Sequence, residues 1–288
     1  MKTKIILAVL LSYSFSALAV ISDHEDIALL DTFPQGTMDL VGQQKWLFTH
    51  ASVGGNMVDG MNDLNSLNPT RYQLDTSAVG YTGSGSAQRA NDPPAPTVAG
   101  TVYECNRGNP GWADKLHCFS NSVTVSGWNK ENDKVDFAMD KFCYIDPTAN
   151  TNVYIETMNN LSGAYPLTKI VWMTIPITTS TGGGDQDARN DFNKFIRSYC
   201  AGNDINLLDI ADIEAHDTNN VEYTYIYNGH TNQTMWSAYS SDGGHLNTLG
   251  RQRVAKGWYA MAAQNVIPEP FYLSFIIFQL LFIISRRK

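Results

Sequence analysis

Basic residues are scarce: 20 Lys and Arg stand against 28 Asp and Glu in 288 residues, a formal charge of −8. With a pI near 5.1, this balance argues against a protein that tracks nucleic-acid phosphates, because that affinity rests on clustered Lys and Arg. Charge of either sign is thin, at 17%. Set beside 43% hydrophobic residues, 14 Tyr, 12 Phe and 6 Trp, it excludes a disordered chain. Cysteine is limited to Cys105, Cys118, Cys143 and Cys200. No Cys-x-x-Cys occurs and no His/Cys cluster has zinc spacing, so no metal and no cofactor is expected. No internal repeat or long low-complexity run divides the chain. No apolar run reaches the ~20 residues that span a membrane comfortably.

Both ends have the composition of processing segments. Lys2 and Lys4 precede an apolar run from Ile5 to Phe15, closed by Ala17-Leu18-Ala19. A basic start, an apolar stretch and small residues at a cleavage point make 1–19 a secretory signal peptide, a substrate of signal peptidase. At the other end Pro268-Glu269-Pro270 leads into an apolar stretch, 271–284, and then Arg286-Arg287-Lys288. In this order the three features resemble the PEP-CTERM sorting signal of exported Gram-negative proteins. The resemblance implies an exosortase-type processing partner and a short transmembrane segment at 271–284. It also implies a place in the cell envelope or outside the cell, often in organisms that make extracellular polysaccharide. An ordinary C-terminal membrane anchor with a cytoplasmic basic stop is the alternative.

Between a lead-in at 20–41 and the tail at 266–288 the chain reads as one domain, 42–265. Its stretch 68–100, rich in Gly, Ser and Pro, reads as an irregular insertion. Without the two end segments 15 basic and 27 acidic residues remain, a charge of about −12, which suits a neutral or poorly anionic substrate. In an exported chain the cysteines would meet an oxidising compartment. Cys105–Cys118, closing a short loop, is the favoured disulfide and Cys143–Cys200 the second. Cys143 as a nucleophile is the competing reading.

Within the domain, apolar β-prone runs alternate with helical spacing. Lys45 to Thr49 reads as a strand, and Asn56 to Leu67 as a helix with Met57, Met61 and Leu64 on one face. Strands are expected at Thr101 to Cys105, Val135 to Tyr144, Lys169 to Ile175 and Ile205 to Ile210. Helices are expected at Val153 to Leu161, from a cap at Asp185 or Asp187 to Tyr199, and from Thr248 to Ala263. Such alternation argues for a mostly parallel sheet covered on both faces, with ligands bound beyond the C-terminal strand ends.

At the first of those ends stands His50-Ala51-Ser52-Val53-Gly54-Gly55-Asn56. A serine between strand and helix can turn its N–H toward an oxyanion, although many such serines only cap the helix. Before the last helix stands Asp242-Gly243-Gly244-His245-Leu246-Asn247. An Asp three residues before a His can accept the imidazole N–H and orient the ring toward a serine. The plainer reading is a turn with a surface Asp and a capping Asn247.

Taken together, the two segments resemble SGNH (GDSL-type) hydrolases, and more closely a bacterial branch with His-x-Ser-Val-Gly in place of Gly-Asp-Ser. Further segments carry the same likeness: 106–112 (Asn-Arg-Gly-Asn-Pro-Gly-Trp), 141–146 (Lys-Phe-Cys-Tyr-Ile-Asp), 165–166 leading to 174–176, and 209–211. The resemblance spans about 42–262. It implies a flavodoxin-like three-layer α/β/α sandwich and cleavage or transfer of an acyl ester. Ser52 would be the nucleophile, His245 the base and Asp242 its orienting partner. The N–H groups of Ser52 and Gly111 would form the oxyanion hole, Gly108 being the competing alignment. The partner implied is an ester-bearing small molecule or acylated glycan, the ester plausibly O-acetyl on carbohydrate.

Two departures stand out. Where the family has Gly-x-Asn-Asp, whose Asn completes the oxyanion hole, this chain has Lys141-Phe142-Cys143-Tyr144. Ala51 replaces the first-motif Asp. His50, Asn56, Asn109 and Lys141 are candidates for site support. Two other readings stay open. One is a catalytically silent carbohydrate-binding or matrix protein on the same fold; the other is a glycosidase using a pair among Asp185, Asp187, Asp209 and Glu214. His117, His216 and His230 are expected in loops, and Trp112 and Trp128 in the core, with stacking on a sugar ring as the alternative.

Overall fold

The structure, a computed structural model, describes residues 20–91, 98–124 and 135–267. The signal peptide at 1–19, the tail from 268 and Trp128 lie outside the described residues. In chain order the elements are β1 (Ile21–Ser22), α1 (His24–Leu30), α2 (Gln35–Val41), β2 (Trp46–His50), α3 (Val53–Leu67), β3 (Asp75–Ala78), β4 (Tyr81–Thr82), β5 (Arg89–Ala90), β6 (Thr101–Asn106), α4 (Trp112–Thr124), β7 (Phe137–Asp140), α5 (Thr151–Ala164), β8 (Lys169–Met173), α6 (Gly184–Gly202), β9 (Leu207–Leu208), α7 (Ile210–Ala215), β10 (Thr224–Tyr227), β11 (His230–Gln233) and α8 (Thr248–Val266).

Seven strands form one sheet in the order β1-β9-β8-β7-β2-β6-β3, every pairing parallel. Parallel strands need covering on both faces, and β2 is buried at all five positions. Trp46 and Phe48 pack toward α8, Trp46 stacking on Phe137 at 4.1 Å and Phe48 meeting Trp258 edge-on at 5.0 Å. Leu47 points to the other face, into a cluster with Leu116, Phe119, Tyr154 and Trp172. Helix α8 packs on α1, α2 and α3, while α5 packs on α4 and α6. The result is a three-layer α/β/α sandwich. Its inner strands β6-β2-β7-β8-β9 follow the flavodoxin-like order 2-1-3-4-5, with the switch point between β2 and β7. Register pairs His50 with Asn106 and Thr49 with Asp140, so the three loops after these strands emerge side by side.

Within 68–100, β3 joins the sheet edge beside β6 and β4 pairs with β5 as a short antiparallel ribbon. Strand β7 stops at Asp140 rather than Tyr144, and beyond it the Cys143 N–H donates to the Asp146 side chain rather than to a neighbouring strand. Helix α6 starts from Gly183 and uses neither Asp185 nor Asp187 as its cap. Helices α1, α2, α4 and α7 have no counterpart in the sequence analysis, and α7 begins at Ile210, where the expected strand 205–210 would end; β9 covers only Leu207–Leu208.

Two expectations are corrected. The four cysteines are free thiols, all buried, and no disulfide forms. Cys105 on β6 and Cys118 on α4 face the core as separate thiols, pushed by burial to about 12 and about 11. Cys143 follows β7 at the C-terminal edge of the sheet, whereas Cys200 sits in the last turn of α6, which runs back to the opposite edge. Second, no helix among the described residues is long and apolar enough to cross a membrane. The expected membrane anchor, membrane partner and anchored location are withdrawn with it; their segment, 271–284, lies outside the described residues.

Candidate active site

Ser52 sits at the hinge between β2 and α3. Its backbone takes φ 55° and ψ −118°, a left-handed conformation that costs a non-glycine residue about 1–3 kcal/mol and persists only where surroundings enforce it. Gly54 permits the turn: a Cβ there would stand 2.4 Å from His50 Cβ. Although Ser52 occupies the helix-cap position, its side chain makes no capping bond. The hydroxyl is turned outward, and Oγ lies 2.7 Å from His245 Nε2.

His245 comes from the loop before α8. Its Nδ1 meets Asp242 Oδ2 at 2.7 Å. The other carboxylate oxygen, Oδ1, accepts the Gly244 N–H at 2.9 Å, the His245 N–H at 2.8 Å and the Ser240 hydroxyl at 3.1 Å. The backbone N–H groups of Gly244 and His245, followed by the imidazole, hold the Asp242 carboxyl well below the usual carboxylate range. Both side chains are substantially exposed, 43% for His245 and 56% for Asp242. Asn56 on α3 ties this loop down, its Oδ1 accepting the Leu246 N–H at 3.1 Å. Helices α3 and α8 are in close apposition, a Cβ on Gly60 falling 2.2 Å from the Arg251 carbonyl oxygen. Residues 193 apart in sequence thereby meet.

At these identities, likenesses to solved structures are likenesses of chain course alone. A GDSL-like lipase from Bacteroides thetaiotaomicron shares 10% identity, with 84% of this chain and 95% of that chain covered and a TM-score of 0.41. A Bacteroides fragilis protein assigned as an acylhydrolase shares 10%, covering 78% and 88%, with a TM-score of 0.46. A Desulfitobacterium hafniense protein assigned to the G-D-S-L lipolytic family shares 10%, covering 77% and 99%, at 0.43. No protein-family model and no curated protein matches the chain.

Around Ser52 the loops after β6 and β7 are braced by buried ion pairs. Arg107 Nη2 contacts both oxygens of Asp140, at 2.7 and 2.9 Å, and Thr49 donates to the same carboxylate at 2.5 Å. Lys115 pairs with Asp146, which also accepts the Cys143 N–H at 2.7 Å. The Gly108 N–H donates to Asn106 Oδ1 at 3.2 Å. The N–H of Gly111, by contrast, has no acceptor among the described residues.

The support candidates divide. Asn109 stands beside the site, its Oδ1 accepting from Cys143 Sγ at 2.8 Å, and the same sulfur lies 3.6 Å from the Ala51 carbonyl oxygen. Lys141 lies beneath, fully buried, and donates to Cys143 Sγ at 3.2 Å; burial lowers its pKa. His50 is turned away from the hydroxyl, with Nε2 on Glu104 at 2.7 Å, and burial lowers its pKa too. Tyr144 has no role in the sequence reading, yet its ring stands edge-on to His245 at 5.7 Å. The signal for it was its place just past β7, at the switch point.

Among the other candidates, Asp209 caps α7 and pairs with Arg197, and Glu214 is fully buried. His117 and Trp112 line a concavity of about 380 Å³ between α4 and α5. Two groups of metal-ligating type occur among the described residues, His24/Asp212/His216 and Asp187/Asp191/His230. In the first, the His24 and His216 rings stack face to face at 3.4 Å, so sharing one ion would require them to fan apart. Neither group contains a residue of the Ser52 site.

Proposed function

We propose that this chain is an SGNH-type serine hydrolase of acyl esters. The observation that carries the reading is the relay Ser52–His245–Asp242, with both contacts at 2.7 Å. In the proposed reaction Ser52 Oγ attacks the ester carbonyl while His245 Nε2 takes its proton. Asp242 keeps the other ring nitrogen protonated and stabilises the imidazolium. The tetrahedral oxyanion accepts from the N–H groups of Ser52 and Gly111. On collapse the acyl–oxygen bond breaks and His245 returns the proton to the leaving alcohol. Water then attacks the acyl-enzyme by the same steps, and an alcohol in its place gives acyl transfer. An O-acetyl group carried by a polar alcohol is the ester of choice.

Asn109 fills the role of the missing third-motif Asn. Its Oδ1 is engaged by Cys143, which leaves Nδ2 as the group that would donate to the oxyanion. Asn109→Ala should lower kcat about 10²–10³-fold with little change in KM, the size of one lost oxyanion donor.

Fluorophosphonate labelling read by intact mass tests the whole reading. One adduct is expected on the parent, none on Ser52→Ala, and strongly slowed labelling of His245→Ala. Ester turnover should fall about 10⁶-fold in either variant. The absence of an Asn after β7 favours a second reading, a silent carbohydrate-binding protein on the same fold. Failure of the folded parent to label would leave that reading standing.

A further inference from the structure

Two hydrogen bonds in a row lead from the interior to Asn109. Lys141 Nζ donates to Cys143 Sγ at 3.2 Å, and Cys143 Sγ donates to Asn109 Oδ1 at 2.8 Å. The same sulfur lies 3.6 Å from the carbonyl oxygen of Ala51, the residue before Ser52. Lys141 and Cys143 are wholly buried, whereas Asn109 is exposed.

A buried lysine is costly and ordinarily meets a carboxylate. The other cations of these loops do so: Arg107 takes Asp140 and Lys115 takes Asp146. Lys141 Nζ instead takes the Cys143 sulfur, its one hydrogen-bond partner among the described residues. A lysine spent on a thiol calls for a reason, and the reason lies one bond further on.

A thiol has one hydrogen to give and a sulfur that can accept. Here one donor, Lys141, and two oxygens, on Asn109 and Ala51, face it. The lysine fills the accepting side, so the hydrogen turns to the oxygens, of which Asn109 Oδ1 is the nearer. An asparagine amide has no direction of its own, because its terminal torsion is broad and roughly two-fold. Asn109 makes no other side-chain hydrogen bond among the described residues. The thiol is therefore the contact that tells its oxygen from its nitrogen. The difference matters to the reaction. With Oδ1 on the sulfur, Nδ2 is left to donate to the oxyanion; with the amide turned over, an oxygen would oppose the developing negative charge.

We infer that Cys143 and Lys141 are positioning residues of the oxyanion hole: the lysine directs the thiol, and the thiol directs the Asn109 amide. The inference rests on the hydrolase reading above, with Asn109 as an oxyanion donor. It divides between two loops the work that one Asn does in the family motif. The loop after β6 carries the donor, and the loop after β7 aims it.

Two measurements test it: p-nitrophenyl acetate turnover, and the Asn109 side-chain amide signals in heteronuclear NMR, identified by their loss in Asn109→Ala. Cys143→Ala should lower kcat about tenfold at unchanged KM, the weight of one net hydrogen bond. Cys143→Ser keeps an O–H donor and should recover most of that loss. Lys141→Met, similar in volume but without a donor, should lower kcat about threefold. In the Asn109→Ala background neither Cys143→Ala nor Lys141→Met should cost anything further, since the group they aim is gone. The Asn109 signals should keep the parent's positions in Cys143→Ser and should shift or double in Cys143→Ala. Additive losses, a serine as poor as alanine, or Asn109 signals indifferent to Cys143→Ala overturn the inference while the hydrolase stands. Should Lys141→Met fail to fold, the Cys143 variants carry the test. If the folded parent neither labels with fluorophosphonate nor turns over the ester, the hydrolase reading fails, and the Asn109 signals alone decide whether the thiol directs the amide.

Discussion

Ser52 and the Asp242–His245 pair reach the same point by opposite routes. Ser52 holds a strained backbone because a wholly buried strand, a glycine against His50 and a braced loop pair leave it no other. The Asp242–His245 loop is open to solvent and folds on itself, one carboxylate oxygen gathering two N–H groups and a hydroxyl from within three residues. The nucleophile is placed by the core and its base by a turn. The difference teaches where each half is vulnerable: the first to packing, the second to the chemistry of one side chain.

Among changes that spare the nucleophile and the base, Asp242→Asn attacks the open half and should have the largest effect. An amide retains an acceptor for the turn but cannot enforce the imidazole tautomer, and kcat should fall about 10⁴-fold. Circular dichroism and melting temperature should stay near the parent's. A matching loss of stability would show that the loop is not self-sufficient.

Gly54→Ala attacks the buried half. A methyl 2.4 Å from His50 Cβ forces backbone movement, and destabilisation of about 1–3 kcal/mol is expected from such overpacking. Denaturant unfolding would read the stability, and fluorophosphonate labelling should slow in parallel. Wild-type stability with full labelling would mean that the hinge is looser than its packing implies.

Glu214 should leave the reaction itself least changed, and it sharpens the comparison by probing the core away from either half. Burial pushes its carboxyl up to about 8 from an ordinary value of 4.5. A raised folded-state value means that its stabilising protonated form is fully present below about 4.5 and is lost as pH rises through about 8. Parent stability should therefore fall over that window, by up to about 1.4 kcal/mol per pH unit. Glu214→Gln, which keeps the acceptor for the Ile177 N–H, should flatten the slope. Equal parent stabilities from urea titrations at pH 5 and pH 8 would contradict this placement of the charge.

Legibility in the sequence follows the same divide. Strands β2, β6 and β8 and helices α3, α5 and α8 stand where apolar runs and helical spacing put them. The Asp-x-x-His spacing was readable because all its bonds are local. The cysteines misled: pairing on paper ignored that Cys143 is engaged with Lys141, Asn109 and Ala51 at one edge of the sheet, far from Cys200. His50 misled likewise, adjacent to Ser52 in sequence yet turned to Glu104 on the neighbouring strand. Tyr144 went unnoticed because only the tertiary fold brings the loop after β7 against His245.

What the sequence determined by itself is therefore the alternation of β-prone and helical segments, hence the parallel layered class, and the turn that pairs Asp242 with His245. These depend on interactions reaching only a few residues along the chain. The tertiary structure decided the strained backbone of Ser52, the thiols that stay unpaired, and the relay from Lys141 through Cys143 to Asn109. Each of these arises where side chains from distant segments compete for one buried volume, and that competition is settled only when the sheet register brings them together.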